Sequence, residues 1–426
     1  MDSTLTTPSG PPLTESIHTS INLLADRCVK CGLCLPHCPT YSEAQNENES
    51  PRGRIALLQG LVNGRLHYSA TLASHLDHCL LCRRCERVCP SGVKYGRLLD
   101  KSRQWMFEKG LRRNRFAGFM LSFLTHKRRL KTGLFLVRLY QRSGLQFLFR
   151  MTGLLRLLRL EHLDNLLPDS IAGTQKWLTT VPTSGKKIGR VGLFTGCLGE
   201  QLDSHLIDCS IKLLNRLGYD VLLPSRQTCC GAMHQHHGDI VAALALAEQN
   251  IQAFAETDQL VYLATGCGVS LQDYANLPWR DAEQVNRAAE FVARAREITD
   301  FINQCDLGSL PLQPLPVKIS MHSPCSEANQ QTSRQLLQHI PEIDLELLSK
   351  DRCCGSAGSY MLTQPALAAQ LRDKTISQIS HSDADIVTTT NLGCALHLRT
   401  ALPKHIRLLH PIEVLSAQLF KEDGDK

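Results

Sequence analysis

The sequence predicts a multidomain protein with a helical cysteine-rich domain, a basic helical segment, and an α/β region made of two copies of one pattern. Three observations predict this fold class. Two cysteine motifs of identical spacing lie near the N-terminus, a strongly basic stretch follows them, and a three-part cysteine pattern occurs twice in the second half. The expected parts are a flexible N-terminus at 1–20 and four further segments at 21–105, 106–185, 186–300 and 301–426.

The composition limits the compartment and the chemistry. The chain has 426 residues, 43% of them hydrophobic, and 18 cysteines, which is enough for about three packed domains. The N-terminus carries Asp2 and two adjacent prolines, unlike a secretory signal. The apolar run at 116–124 has about half the length that a spanning helix needs. We therefore expect a cytoplasmic protein, whose cysteines hold metals or react rather than form disulfides.

The two N-terminal motifs are CVKCGLCLPHCP (28–39) and CLLCRRCERVCP (79–90), and both read C-x2-C-x2-C-x3-C-P. This spacing gives three thiolates to one [4Fe-4S] cluster and the fourth to a second cluster. The first cluster is expected to take Cys28, Cys31, Cys34 and Cys89, and the second Cys79, Cys82, Cys85 and Cys38. Zinc sites also use C-x2-C steps, but three evenly spaced cysteines with a Cys-Pro, found twice, favour iron-sulfur clusters.

The segments around these motifs predict helices. Apolar residues recur at helical spacing in 52–64, 71–78 and 96–110. A compact strand-rich fold has no room for such an insert between the motifs, so we expect an α-helical two-cluster ferredoxin domain. Two adjacent clusters without a substrate pocket would pass single electrons along a path.

The next segment is basic. Residues 101–160 contain fifteen Lys and Arg against the single acid Glu108, whereas the whole chain has a net charge of +7. The rest of the chain is therefore acidic overall, and we expect no nucleic-acid partner. Along 112–142 the basic residues alternate with Phe, Leu and Met. This pattern fits a basic amphipathic helix on an anionic membrane surface, or a helical linker that packs on a partner subunit.

The second half alternates strand-like runs, as in 187–197, with helical ones, as in 202–218, and predicts an α/β region. A C…CCG…C pattern occurs twice, about 125 residues apart, which predicts an internal duplication. Its members are Cys197, Cys229, Cys230 and Cys267 in the first copy, and Cys325, Cys353, Cys354 and Cys394 in the second. Each copy could hold a metal or redox site, and buried free thiols are the alternative.

Gly231 and Gly355 follow the adjacent cysteines and are expected to supply the bend that lets both thiols reach one centre. Cys209 and Cys305 have no counterpart in the repeat and are expected to be ordinary buried residues. The histidines after the first CCG are expected in a solvated helix start or loop rather than at a metal: His234, His236 and His237. No flavin, nicotinamide or nucleotide motif is recognisable.

The order of these motifs resembles the iron-sulfur subunits of respiratory 2-hydroxyacid dehydrogenases, most closely those of glycolate oxidase. The similar stretches are 49–64, 75–95, 229–239 and 353–374. The resemblance implies a heterodisulfide-reductase-like CCG fold for the duplicated region. It also implies that FAD-containing partner subunits oxidise glycolate to glyoxylate, while this subunit passes the electrons toward membrane quinone from the inner face of the cytoplasmic membrane. We favour membrane contact for the basic segment for that reason.

The sequence departs from the resemblance at one position of each copy. Related CCG domains usually end in C-x2-C, but Ser270 and His397 stand at the last position here. Imidazole binds iron or zinc, so His397 could complete the second site, and the second copy is the stronger candidate for a metal centre. Two alternatives stay open: an iron-sulfur subunit of a lactate or anaerobic glycerol-3-phosphate dehydrogenase, and a heterodisulfide-reductase-like disulfide reductase.

Overall fold

The computed structural model describes residues 16–112, 118, 121, 123–158, 160–167, 177–308, 310–327, 329–349 and 353–420. The contacts among them form two compact units, one made of described residues 16–112 with 236–238 and the other of the remaining described residues. Most of the expected flexible N-terminus (1–20) lies outside the described residues, as does most of the apolar run at 116–124.

The first unit is helical among its described residues, as predicted. Its helices are Ile17–Asp26, Pro39–Ala44, Pro51–Val62, Ala70–Asp77, Arg84–Arg87 and Tyr95–Glu108, with a 3₁₀ turn at Glu47–Glu49. The side-chain oxygens of Ser50 and Ser69 accept hydrogen bonds from the first turns of the two helices that separate the cysteine motifs. The helices predicted in 52–64, 71–78 and 96–110 are therefore confirmed.

The core of this unit lies under the cysteine loops. Leu58, Leu76 and Leu98 come from three different helices and are fully buried. Half-buried cysteines of both motifs pack against the same cluster: Cys28, Cys79, Cys85 and Cys89. The helices thus form an apolar base that fixes the two motif loops.

Four helices lie near the start of the second unit: Lys127–Arg142, Leu145–Met151, Leu154–Leu157 and Glu161–Asn165. The buried carboxylate of Asp164 joins three of them, since it accepts hydrogen bonds from Tyr140 Oη at 3.1 Å and Gln146 Nε2 at 3.0 Å. It also pairs with Arg150 Nε at 2.6 Å. Across the part of the chain that the structure describes, no helix combines the length and apolarity needed to cross a membrane.

The first α/β lobe contains β1 (Thr180–Val181), β2 (Gly189–Phe194), β3 (Tyr219–Leu222), β4 (Gln259–Tyr262) and β5 (Ala295–Glu297). The strand order is β1-β3-β2-β4-β5, and only β1 runs antiparallel. Its helices are Gly196–Leu202, Ser204–Arg216, Ala232–His237, Ile240–Ala253, Thr265–Gln272, Ala282–Arg294 and Ile298–Asn303, with a 3₁₀ turn at Asp273–Asn276.

The second lobe contains β6 (Lys318–Met321), β7 (Asp344–Leu347), β8 (Ile386–Thr388) and β9 (Arg407–Leu409), all parallel, in the order β7-β6-β8-β9. Its helices are Gln330–Leu337, Tyr360–Thr363, Pro365–Ser380, Leu392–Arg399 and Pro411–Leu419. Strands β6 to β9 repeat the order of β2 to β5, so the predicted duplication is confirmed. Residues of β2 and β6 share one hydrophobic core that spans both sheets.

This topology creates an equivalent crevice in each lobe. From β2 the chain crosses to β3 on one side and then returns to β4 on the other side. Ligands of open α/β sheets bind where the strand order reverses in this way, beyond the carboxyl ends of the strands. The crevice therefore lies after β2 and β4 in the first lobe, and after β6 and β8 in the second.

Candidate metal centres

The backbone wraps both N-terminal motifs in the same way. Lys30 and Gly32 in the first motif have φ of 57° and 85°, and Leu81 and Arg83 at the equivalent positions of the second have 51° and 56°. Left-handed residues are uncommon outside glycine. Two of them among three cysteines bend the chain into a concave loop, the geometry by which successive amides hold anions and iron-sulfur clusters. The identical bends make the two loops equivalent sites.

The thiols in these loops already receive hydrogen bonds. Cys79 Sγ accepts from the Leu81 amide at 3.4 Å and from Tyr95 Oη at 3.6 Å. Donors aimed at sulfur stabilise a thiolate and tune a bound cluster. Of the eight predicted ligands, Cys38 is buried, Cys31 is exposed and the others are half-buried.

Cys38 is the last cysteine of the first motif, but its charge also acts on the second motif. Burial raises the pKa of the Cys85 thiol, and negative charge on three other cysteines raises it further: Cys82, Cys79 and Cys38. Charge on Cys38 also adds to the burial that raises the pKa of Cys34. Cys38 therefore lies within electrostatic range of cysteines in both motifs, Cys34 in the first and Cys85 in the second.

A buried ion network lies beside the second motif. Arg54 is 1% exposed and its Nη2 is 2.5 Å from Glu49 Oε2. The other oxygen of Glu49 is 2.7 Å from His75 Nδ1 and 2.9 Å from His78 Nδ1. Glu49 and the two histidines offer three ligand atoms within 4.8 Å. Because Arg54 already neutralises the carboxylate, we assign this group to structure rather than to metal binding.

The guanidinium of Arg54 also lies in the field of the predicted ligands. Burial acts to lower its pKa, but negative charge on Cys79, Tyr95 and Cys38 acts the other way, and the net pKa is raised. Arg54 therefore holds a permanent positive charge near two thiols assigned to the second cluster.

In the first lobe, Cys197 and Cys267 lie at the crevice, in the first turns of the helices that follow β2 and β4. In both copies the strand stops short of the last cysteine: β4 ends at Tyr262 and β8 at Thr388, and a helix begins before the cysteine. Gly231 has a φ of 84°. It provides the predicted bend next to the cysteine pair.

The four thiols of the first lobe form one connected group, in which Cys197, Cys229 and Cys230 are buried and Cys267 is half-buried. Hydrogen bonding to Cys197 and Cys230 raises the pKa of Cys229. Hydrogen bonds from Cys229 and Cys267 hold the pKa of Cys230 well below its usual range. The lowered pKa favours the thiolate form at Cys230. All four predicted residues of this copy therefore lie together in one group.

The second lobe combines thiols with a histidine. Cys354 Sγ lies 2.6 Å from Cys394 Sγ. These two thiols and His322 offer three buried ligand atoms within 4.8 Å of one another. Hydrogen bonding to Cys353 raises the pKa of Cys354. Cys325 lies in the turn after β6 and is half-buried.

Sequence reasoning missed His322. It stands three residues before the first cysteine of its copy, where the first copy has Phe194. Its Nδ1 is 3.0 Å from Thr389 Oγ1, which orients the ring at the end of β6. A comparison of the two copies position by position could have found it, since a histidine replaces an aromatic residue at the crevice.

Ser270 and His397 serve the same purpose in the two copies. Ser270 Oγ donates to the carbonyl oxygen of Cys230 at 3.0 Å, and His397 Nδ1 donates to that of Cys354 at 2.6 Å. Both side chains are buried. They fix the backbone of the adjacent-cysteine turn, and in the described part of the second lobe the histidine grouped with two thiols is His322 rather than His397.

One residue connects the two lobes at these sites. Asn391 Oδ1 accepts a hydrogen bond from the Gly266 amide at 3.2 Å, and its Nδ2 donates to Cys394 Sγ at 3.3 Å. The Thr265 amide also donates to the carbonyl of Thr390 at 3.0 Å. The N-terminal ends of the helices that carry the last cysteine of each copy therefore contact each other.

The residues outside the cysteine pattern give a mixed result. Cys209 is buried as expected, whereas Cys305 is only half-buried.

His234 is buried, and its Nε2 lies 3.2 Å from Thr125 Oγ1. The expectation of a solvated position is therefore wrong for His234, because the helix Ala232–His237 turns this side chain inward.

Together these sites define a class: an iron-sulfur protein with a two-cluster domain and two cysteine-rich domains. Residues 24–93 match the family described as 4Fe-4S dicluster domain, and 191–272 and 319–399 match the Cysteine-rich domain. Residues 110–167 match "Glycolate oxidase iron-sulfur subunit, linker region". The predicted fold class is therefore confirmed.

The relatives identify the particular family. The chain is 34% identical to the probable glycolate oxidase iron-sulfur subunit of Bacillus subtilis (strain 168) over 91% of this chain and 92% of that protein. It is 31% identical to the glycolate oxidase iron-sulfur subunit of Escherichia coli (strain K12) over 93% and 94%. Lactate utilization protein A of Bacillus velezensis is 25% identical over 54% of this chain and 100% of its own length. The chain belongs to the glycolate oxidase iron-sulfur subunit family.

Proposed function

We propose that this chain is the electron-transfer subunit of a glycolate dehydrogenase complex. FAD-containing partner subunits oxidise glycolate to glyoxylate, and the electrons pass through two [4Fe-4S] clusters of the N-terminal unit toward quinone. The observation that carries the proposal is the pair of equivalent cysteine loops with identical left-handed bends. Bound clusters supply one-electron redox chemistry, and the residues of this chain hold and shield them.

We assign the ligands by the crossed pattern of the motifs: Cys28, Cys31, Cys34 and Cys89 for one cluster, and Cys79, Cys82, Cys85 and Cys38 for the other. The electrostatic proximity of Cys38 to the second motif supports the crossing. The hydrogen bonds to Cys79 support a thiolate at that position.

Metal analysis tests the assignment. Anaerobically purified protein is expected to contain about eight irons with inorganic sulfide in this domain. Cys34→Ala or Cys82→Ala should lose one cluster and uncouple glycolate oxidation from the onward acceptor, while flavin reduction in the partner continues. Cys305→Ala is the control, because Cys305 lies outside every site. Zinc in place of iron, or an unchanged iron content in the variants, contradicts the proposal.

We propose further that at least one of the cysteine-rich lobes carries a metal or redox centre. The second lobe would use Cys354, Cys394 and His322, with Cys325 and Cys353 beside them. The grouping of thiolate and imidazole donors supports iron or zinc there. The first lobe would use Cys197, Cys229, Cys230 and Cys267. The full-length Cys354→Ser/Cys394→Ser variant should hold less metal than the wild type, and an unchanged content would make these cysteines structural thiols.

Two other functions are kept as alternatives. The partial similarity to lactate utilization proteins favours a lactate-oxidising complex as the second candidate, with an anaerobic glycerol-3-phosphate dehydrogenase beside it. The third candidate, a disulfide reductase, is favoured by the hydrogen bonds from Cys229 and Cys267 that lower the pKa of Cys230. Assays of the native complex with glycolate, D-lactate and L-lactate separate the substrates, and disulfide reduction by the isolated chain tests the third candidate.

Because the proposed acceptor is membrane quinone, we propose that the complex lies in the cytoplasm, peripherally on the inner face of the cytoplasmic membrane. A charged peripheral attachment is weakened by salt. Washing membranes in high salt should therefore release the complex, and release by low-salt buffer alone would contradict this location.

A further inference from the structure

The four helices at the start of the second unit expose many apolar side chains. Among the described residues, eleven of the 21 exposed large hydrophobic side chains lie within 135–163. Phe147 is 69% exposed and Met151 70%. Soluble proteins rarely expose apolar residues in such concentration, and an extended exposed patch usually marks an interaction site.

The exposed apolar residues share a stripe with basic ones. On helix Lys127–Arg142 the exposed residues Arg128, Lys131, Phe135, Leu139 and Arg142 recur at steps of three or four, which places them on one side of the helix. Leu130 faces the protein interior and is buried. The stripe therefore has an apolar centre with positive charge at both ends.

The same helices carry little negative charge. Their exposed basic side chains are Arg128, Arg129, Lys131, Arg142, Arg150 and Arg156. The acids in 123–167 are Glu161 and Asp164, and Asp164 is buried. We call the exposed side chains of helices Lys127–Arg142, Leu145–Met151 and Leu154–Leu157 the basic-apolar face.

The basic-apolar face rests on a fixed frame. Asp164 joins two of its helices through Tyr140, Gln146 and Arg150. Lys127 Nζ pairs with Glu200 Oε2 at 2.7 Å, which fastens the first helix to the α/β lobe. The face is therefore presented as a unit rather than as separate flexible segments.

We infer that the basic-apolar face is a docking surface for an anionic phospholipid bilayer. Its Phe, Leu and Met side chains enter the interfacial region, while Arg and Lys extend along the surface to lipid phosphates. The positive charge on both ends of the apolar stripe is the reason to choose an anionic bilayer over a protein partner. The inference rests on the proposed function, because electrons delivered to quinone must reach a membrane.

Vesicle co-sedimentation of the full-length, cluster-loaded chain tests the inference. Binding is expected to phosphatidylcholine vesicles that contain phosphatidylglycerol, to weaken with salt, and to be weak with phosphatidylcholine alone. Phe147→Ser/Met151→Ser should weaken binding at least about tenfold, and Arg128→Gln/Lys131→Gln should remove most of the preference for phosphatidylglycerol. Val241→Ser is the matched control, since Val241 is 74% exposed but lies on a helix of the first lobe.

Three results would overturn the inference. The wild type could stay in the supernatant with anionic vesicles, or the variants could bind the vesicles as the wild type does. In the third result the variants keep vesicle binding but no longer co-purify with the flavin subunits. The last result would make the face a protein interface. Iron content and glycolate-dependent reduction of a soluble dye by the complex are measured in the same variants. Both should stay at the wild-type level, so a failure at this face is distinguishable from a failure of the electron-transfer proposal.

Discussion

Replacing Arg54 with methionine tests whether the buried ion network stabilises the two-cluster unit. Arg54 donates to Glu49 at 2.5 Å, to the carbonyl of His75 at 2.6 Å and to Thr40 Oγ1 at 3.0 Å. Arg54→Met removes all three bonds and leaves a buried carboxylate without its guanidinium. Loss of one partner of a buried ion pair costs about 3–5 kcal/mol. Glu49 keeps its two histidine contacts, so we expect the lower end, about 3 kcal/mol.

Hydrogen exchange measures this loss locally. Arg54 lies on helix Pro51–Val62, and a loss of about 3 kcal/mol should reduce the protection of its amides about a hundredfold. Arg52 provides a matched control on the same helix, because its pair with Glu47 is 2.6 Å long but the two side chains are 32% and 46% exposed. Arg52→Met should cost less than about 1 kcal/mol, as exposed pairs do.

A double variant separates charge from packing. Glu49→Gln/Arg54→Met leaves no uncompensated charge, so it should be more protected than Arg54→Met alone. If Arg54→Met loses no more protection than Arg52→Met, the pair does not stabilise this helix. If the double variant is no better than the single one, packing rather than charge explains the loss.

Three further predictions concern the second unit. Gly355→Ala should lower the melting temperature more than Gly231→Ala. Both glycines have positive φ, but the added Cβ would lie 2.4 Å from a backbone oxygen at Gly355 and 3.3 Å from one at Gly231. Equal losses of melting temperature would contradict the steric argument. Hydrogen bonding to Glu413 raises the pKa of His205, so the protonated histidine stabilises the fold at low pH, and this stability is lost as pH rises through the raised pKa. Urea unfolding of His205→Gln should show a deficit at pH 6 that vanishes by pH 9, and a constant deficit would exclude the linkage. His322→Phe gives the second lobe the residue of the first and should lower its metal content, and a full metal complement would remove His322 from the site.

The sequence predicted those parts of the fold that depend on local spacing. The motif loops follow from C-x2-C-x2-C, and helix Pro51–Val62 follows from the apolar pattern after Ser50. The duplication was visible because the cysteines recur at nearly constant distance. These features need only neighbouring residues or a repeat, so tertiary packing does not alter them.

The features that prediction missed come from distant residues. His322 approaches Cys354 and Cys394 only because β6 and β8 are adjacent in the sheet. Arg54 is a charged residue in a predicted amphipathic helix and would ordinarily face solvent. It is buried because Glu49 and the helix that carries His75 surround it, and no periodicity reveals that.

Asn391 gives the duplicated region a property that neither copy has alone. Its side-chain amide accepts one hydrogen bond from the Gly266 amide, in the first turn of the helix that carries Cys267, and donates another to the sulfur of Cys394. A gain of negative charge on that sulfur strengthens the second bond, and the resulting polarisation of the amide strengthens the first bond as well. If each lobe binds a metal or a ligand, any coupling free energy that passes through this amide is the same in both directions, so each binding event changes the affinity of the other lobe by one common factor. Gly266 preserves the connection, since an added Cβ would lie 2.8 Å from Asn391 Oδ1.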